Sequence, residues 1–348
     1  MRKVAKVNRP RGLSSAAQHA ELKPGQKSIL IAGGAGFLGS RLCAIYLQKG
    51  FQVTCIDNLS TGRVKNIESF LEHPCFTFAA YDICDPLTLN GKFDYIYNMA
   101  CPASPPKYQA DPIQTLKTNL YGAFNLLDLA RQSKARILQS STSEVYGDPS
   151  ISPQPESYWG NVNTVGPRSC YDEGKRAAET IFMEYAQVHH VDVRIARIFN
   201  AYGPDMDPND GRVVSNFITQ ALEGRPITIY GDGSQTRSFC YRDDMVDGLM
   251  ALMHVDTVDH APVNVGNPTE FTMKEVAELV LSKIDTRSVI TFEPLPRDDP
   301  RQRCPDITRA RTLLGWLPKV ALKDGLDNTI SYFAAELAGA GSRVVAAQ

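Results

Sequence analysis

A short apolar run that ends in glycines and passes straight into a helix constrains this chain more than any other stretch. Residues 28–32 read Ser-Ile-Leu-Ile-Ala, followed by Gly33-Gly34-Ala35-Gly36-Phe37-Leu38-Gly39 and a helical pattern to Lys49. The spacing is G-x-x-G-x-x-G rather than the commoner G-x-G-x-x-G. Gly33 and Gly36 let backbone approach a pyrophosphate, Gly39 lets helix and strand pack closely, and the helix N-terminus faces the anion. A second strand, 51–56, ends in Asp57. An acid there bonds an adenosine ribose and repels a 2′-phosphate, which favours NAD over NADP, while the nearby Arg63 leaves that choice open.

The strand–helix rhythm continues. A third strand, 75–80, leads to Asp82, which either accepts from an adenine amino group or caps the next turn. A fourth, 95–99, runs into Pro102-Ala103-Ser104-Pro105-Pro106, where the prolines forbid helix and predict a rigid loop. A long helix over 113–132, a strand over 135–141 and a sixth strand over 192–198 follow. The expected fold is α/β: a Rossmann-type doubly wound parallel sheet with a smaller mixed α/β substrate-binding domain. The nucleotide domain is placed at 28–198 with a return segment at about 239–262, and the second domain at 199–238 and 263–336. Residues 1–27 read as a basic disordered arm, with a cleaved transit peptide as the alternative, and 337–348 as a flexible tail. Thr272 is an N-cap for a helix ending near Ile284.

The chemistry concentrates in residues 140–175. Ser140-Ser141-Thr142-Ser143-Glu144 ends a buried parallel strand, and such ends are where ligands bind in open α/β sheets. Tyr171 and Lys175 are four residues apart in a helical pattern, hence on one face. A phenol is a poor base near neutrality, but a lysine ammonium one turn away favours the phenolate, and the Thr142 hydroxyl can share the proton of a substrate alcohol.

Composition sets limits. A formal net charge of -1 over 348 residues gives no basic excess, so nucleic acid is not an expected partner. The eight cysteines show no C-x-x-C, which points to reduced thiols and to neither disulfides nor a metal site. No apolar run is long enough for a membrane span, and a cytoplasmic location is expected. Arginines 297, 301, 303 and 309 are either a solvated face or the fork-shaped donors that a diphosphate and a carboxylate need.

Together, Gly33-x-x-Gly36-x-x-Gly39, Asp57-Asn58, Tyr171-x-x-x-Lys175 and Asn200-Ala201-Tyr202-Gly203-Pro204 resemble the extended short-chain dehydrogenases/reductases that act on nucleotide sugars. The longer strings, Pro102 to Pro106, Ser141 to Pro149, Cys170 to Arg176 and Asn209 to Phe217, closely resemble the UDP-glucuronate decarboxylase (UDP-xylose synthase) family. The resemblance covers about 28–336. It implies Tyr171 as base at the sugar 4-hydroxyl, Lys175 on the nicotinamide ribose, Thr142 in the proton path, Glu144 ordering the sugar region and Arg303 beside the reacting carboxylate. It further implies Lys117, Asn200, Arg212, Tyr230 and Arg237 on the UDP-sugar. Phe37, Leu38, Asn58, Asp82 and Ile83 join the glycines and Asp57 on NAD. A homodimer is implied. Asn98 and Cys101 stand where the family has His and Ser, and Asp205 where a basic residue is usual; all three are expected at loop rims.

The implied reaction oxidises C4, loses the C6 carboxylate from the 4-keto sugar and reduces C4 again, with Arg303 clamping the carboxylate and orienting a water. A 4,6-dehydratase has an acid in the middle of the Thr-x-Glu triplet, where this chain has Ser143. A 4-epimerase shares the base pair without needing Arg303. A catalytically inactive NAD-binding regulator is opposed by the intact Thr142, Tyr171 and Lys175.

Overall fold

The computed structural model describes residues 23–345 apart from 88, 90, 257 and 258; most of the basic arm therefore lies outside the described residues. Six strands, β1 (Ser28–Ala32), β2 (Gln52–Asp57), β3 (Phe76–Ala80), β4 (Tyr95–Asn98), β5 (Arg136–Thr142) and β6 (Val193–Ile198), are joined by Val263–Val265 into one sheet. Its order is Val263–Val265, β6, β5, β4, β1, β2, β3, and each pair is parallel. β1 is buried at all five positions, as the unbroken apolar run requires of a strand covered on both faces. The order reverses between β1 and β4, so the crevice beyond their carboxyl ends is the ligand position of such sheets.

Helices α1 (Phe37–Gln48), α2 (Pro105–Ala110), α3 (Pro112–Ser133) and α4 (Ser169–His189) flank or lead onto this sheet. The expected proline loop is a short helix instead. Pro105 and Pro106 occupy its first turn, where a missing N–H costs nothing and the fixed φ suits the helix. Asp111 caps α3 by accepting from Gln114 N at 2.9 Å. α3 and α4 pack side by side over β4 and β5, with Leu126, Leu127, Ala178 and Phe182 in the core beneath them.

Past β6 a second core forms. Tyr202, Phe217, Ile227, Val276, Leu326 and Phe333 are buried together, drawn from helices Val213–Leu222, Met273–Lys283 and Leu322–Val345 and the strands Ala201–Tyr202 and Ile227–Tyr230. Thr272 caps Met273–Lys283 in a capping box with Glu275. Segments of the range expected for this lobe pack with the first one. Val263–Val265 pairs with β6, and Ile307, Ala310 and Trp316 join the main-sheet core with Met245 and Leu249 of helix Arg242–His254. The expected tail from 337 is helical as far as Val345.

A small sheet of Glu270–Thr272, Thr236–Ser238 and Gln302–Arg303 brings Arg237 and Arg303 to the cavity. Arg303 and Arg237 are register partners in its parallel pair, so this lobe delivers both guanidinium groups from one place.

Candidate active site

Between the lobes runs a cavity of about 900 Å³, reaching from the glycine loop to Arg303. At one end Gly33 adopts φ +76°, and a Cβ there would lie 2.8 Å from backbone of Met99 and Ala100. A Cβ on Gly39 would lie 2.1 Å from Gly33 O, so the loop folds flat against the first turn of α1 only because both residues are glycine. Gly36 caps α1 without a side chain, leaving the first helical N–H groups to an external anion. Asp57 is buried and accepts from Ala35 N at 3.0 Å and Leu59 N at 2.8 Å. Burial pushes its carboxyl up, and those two backbone donors oppose the rise. Asn58 donates to Asp82 at 3.0 Å, and Phe37, Leu38, Asp82 and Ile83 complete the lining at this end. These residues fit a dinucleotide: a cradle without side chains at the diphosphate position and a fixed acid at the end of β2.

At the other end Tyr171 and Lys175 project from α4 beside Thr142 at the end of β5, and all three are buried. The Lys175 ammonium donates to Ser140 O at 2.8 Å and lies 5.7 Å from the Tyr171 ring centroid. The Tyr171 ring stacks on Tyr108 with centroids 4.8 Å apart and planes within 5°. Burial pushes the Tyr171 phenol well up, with Thr142 drawing it down, while burial also lowers the Lys175 ammonium.

Beside them Glu144 is held between two arginines. Arg303 forms a two-pronged pair with its carboxylate, one prong at 3.0 Å, and Arg168 Nη2 donates to both oxygens at 3.1 and 3.2 Å. Burial pushes the Glu144 carboxyl up, but Arg303 and Arg168 pull harder and hold it at about 2. Arg168 also donates to Asp299 at 3.0 Å, and Asp299 accepts from Arg237 at 3.0 Å. The Nε–H groups of Arg303 and Arg168 are buried and have no protein partner. Two unspent charged donors in a buried site suit an anionic group.

The other expected residues divide. Asn200, Arg212, Tyr230 and Arg237 line the cavity, and Arg212 is paired with Asp210 at 3.2 Å. Lys117 does not; it is exposed on α3, whose cavity side carries Gln114, Thr115 and Thr118 one turn apart. Of the arginine group only Arg303 is buried, whereas Arg309 pairs with Asp259 outside the cavity. Of the departures, Cys101 and Asp205 line the cavity, but Asn98 sits within the sheet and donates to Gln139 at 2.7 Å. It lies under the site because the last residue of a central strand is covered by its neighbours. Sequence reasoning missed Arg168, Asp299 and Tyr108. Arg168 had a signal: a cation at a helix N-cap stands where the macrodipole disfavours it, so another partner must hold it.

The GDP-mannose 4,6 dehydratase family model matches residues 30–329. The chain is 52% identical over 312 residues to UDP-glucuronic acid decarboxylase 1 of Danio rerio, covering 90% of this chain and 74% of that one. It is 54% identical over 299 residues to UDP-glucuronic acid decarboxylase 5 of Arabidopsis thaliana, covering 86% of each. The chain belongs to the UDP-glucuronic acid decarboxylases. Among solved structures it is similar to UDP-glucose 4-epimerase of Thermotoga maritima, with TM-score 0.80, 29% identity and coverage of 89% of this chain and 99% of that one. It is also similar to UDP-glucuronic acid 4-epimerase of Bacillus cereus in complex with UDP-glucuronic acid and NAD, with TM-score 0.77, 28% identity and the same coverages. These Rossmann-fold neighbours place this decarboxylase-family chain in the short-chain dehydrogenase/reductase superfamily.

Asp172, next to the candidate base, titrates abnormally. Burial and then the Glu144 charge push its carboxyl up to about 8, and its Oδ1 is buried without a partner. A carboxyl raised in the folded state loses stability as pH climbs from its unfolded value near 4 to about 8. Asp172→Asn is free of that loss. Its stability relative to the parent should rise with pH across this window and level off above it, as read from urea midpoints between pH 5 and 9. A difference independent of pH would show that Asp172 ionises normally.

Proposed function

We propose that this protein decarboxylates UDP-glucuronate to UDP-xylose, with NAD retained as an internal redox cofactor. The observation that carries the reading is the buried Arg303–Glu144–Arg168 group beside Tyr171, with two guanidinium Nε–H donors unspent. A sugar carboxylate is the anion such donors suit. The relatives above act, by name, on this acid sugar.

Gly33, Gly36 and Gly39 with the α1 N-terminus would hold the NAD diphosphate, Asp57 and Asn58 its adenosine ribose, Asp82 and Ile83 its adenine end, and Lys175 its nicotinamide ribose. When bound, NAD supplies a hydride acceptor and donor at sugar C4 together with a positive ring that opposes the burial of the Tyr171 phenolate. Tyr171 takes the 4-hydroxyl proton, with Thr142 sharing it. Once C4 is a ketone, the C6 carboxylate is β to it, and its loss leaves an enolate whose oxygen faces Tyr171 and Thr142 as donors. Arg303 stays charged, so it clamps the carboxylate and orients the water that protonates C5. Glu144 fixes Arg303 and Arg168 against each other. Asn200, Arg212, Tyr230 and Arg237 take the UDP portion. The lobe built around the second core is the sugar-nucleotide half, and the main-sheet lobe is the cofactor half.

Incubation with UDP-glucuronate should release carbon dioxide and yield UDP-xylose; UDP-galacturonate without carbon dioxide would make the protein a 4-epimerase. Tyr171→Phe should bind NAD and lose about 10²–10⁴ in turnover, the usual share of a general base. Near-full turnover in that variant would end the assignment. Arg303→Ala should slow carbon dioxide release more than C4 oxidation, seen as reduced cofactor forming in a first turnover while pentose lags. Arg297→Ala should mainly raise KM. Release of carbon dioxide at the parent rate by Arg303→Ala would remove the clamp role.

The active form is a homodimer. Ile113, Leu116, Tyr121 and Phe124 are exposed at helical spacing on α3, with Val188 exposed on α4, and such a face suits a four-helix contact. Tyr121→Glu with Phe124→Glu should run as a monomer by light scattering where the parent is a dimer; an unchanged mass would place the contact elsewhere. Among the described residues no helix is long and apolar enough to cross a membrane. Eight free cysteines support a reducing, cytoplasmic setting.

A further inference from the structure

Arg63 is the residue that leaves the choice between NAD and NADP open in the sequence, and the structure shows how its charge is spent. It lines the cavity at the cofactor end, and its backbone N–H is pinned to Ala35 O of the glycine loop at 3.0 Å. It follows Gly62, whose Cα packs so closely on the Asp57 carboxylate that a Cβ there would lie 2.6 Å from Oδ2. An arginine next to the glycine that packs on the ribose acid is where a 2′-phosphate would find its donor.

The Arg63 fork is occupied by protein. Nη1 donates to Glu336 at 3.3 Å, and Nη2 donates to Tyr332 Oη at 3.0 Å, Asn66 Oδ1 at 3.2 Å and Asp205 O at 3.2 Å. Glu336 and Tyr332 lie one turn apart on the C-terminal helix, in the other lobe. The second oxygen of Glu336 accepts from Lys65 at 2.6 Å, so one carboxylate answers both cations of the segment that follows Asp57. Its side chain is only 12% exposed, which limits screening by solvent.

We propose that Glu336 is a cofactor-specificity residue: it neutralises Arg63 and Lys65, keeps the Arg63 fork turned away from the adenosine ribose, and so denies a 2′-phosphate its counter-charge. Asp57 rejects the phosphate by repulsion, and Glu336 rejects it by withholding the attraction. Glu336 acts through Arg63 and touches no part of the cofactor. The inference rests on the NAD reading of the cavity.

The test is the affinity of the full chain, stripped of cofactor, for NAD+ and for NADP+ by calorimetric titration. Glu336→Gln keeps the shape and removes the charge. It should tighten NADP+ about tenfold and leave NAD+ within about twofold, because Asp57 still opposes the phosphate and only one charge-assisted contact is released, worth roughly one decade. Adding Arg63→Met to Glu336→Gln should erase the NADP+ gain. An unmoved NADP+/NAD+ ratio in Glu336→Gln overturns the proposal. So does a gain that survives Arg63→Met, which would assign it to Lys65 or to general field. Equal weakening of both dinucleotides would make the Glu336 contact a structural strut only, and would likewise overturn it. If the parent binds neither dinucleotide, the cofactor reading itself fails, and this inference with it.

Discussion

A single carboxylate organises the centre of this molecule. Glu144 leaves the end of β5, Arg168 stands at the start of α4, and Arg303 comes from the small sheet of the second lobe. The three meet out of water, where an unpaired charge would cost several kcal/mol and a matched pair recovers the loss only with good geometry. The pairing therefore acts as a condition on how the lobes close: Arg303 is satisfied only when its strand is seated across the cleft from β5. The next links, Arg168 to Asp299 and Asp299 to Arg237, repeat the condition along the same line. Along this line the Nε–H groups of Arg168 and Arg303 are left unspent, and on the proposed reading that is where the sugar carboxylate is answered.

The Tyr171/Lys175 pair stands next to that charge line, yet apart from it. Tyr171 and Lys175 are covered by Tyr108, Thr142 and backbone, so burial dominates both, raising the phenol and lowering the ammonium. The protein alone therefore favours the neutral Tyr171 phenol. On the proposed reading, the positive nicotinamide ring is the charge that opposes this burial when the cavity is loaded. Asp172, pushed to about 8 by burial and Glu144, holds a second neutral acid in the same shell. One strongly ionised carboxylate among groups kept neutral is how neighbouring acids are separated into different roles.

What was legible in the sequence follows the range of the forces involved. The parallel strands, the glycine loop, Asp57, the Tyr171/Lys175 face and the Thr272 cap are set by neighbours within a few residues, and periodicity or spacing shows them. The helix at Pro105 was lost because proline reads as a breaker unless its place in the first turn is known. Lys117 is implied by the resemblance, but the phase of α3 turns it outward, away from the cavity. The partners of Glu144 are 24 and 159 residues away, and no local pattern announces such pairs. Asn98 was expected on a rim because its strand end was legible, while the neighbours covering it were not.

The same long-range pairing explains how a chain of net charge -1 can present a cavity to a multiply charged ligand. Arg212 is matched to Asp210, Arg242 to Asp205, Arg63 to Glu336, and Arg168 and Arg237 share Asp299. None of these cations waits bare and hydrated. On the proposed reading an incoming diphosphate or carboxylate exchanges one anion for another at a guanidinium that is already oriented, so much of the ordering is complete before binding. Selectivity then depends on which internal acid yields. Asp210 is one residue from a glycine at positive φ and sits on a cavity loop, whereas Glu336 is fixed on a helix and grips two cations at once. On the proposed reading Arg212 is thereby the arginine free to exchange, and Arg63 the one withheld.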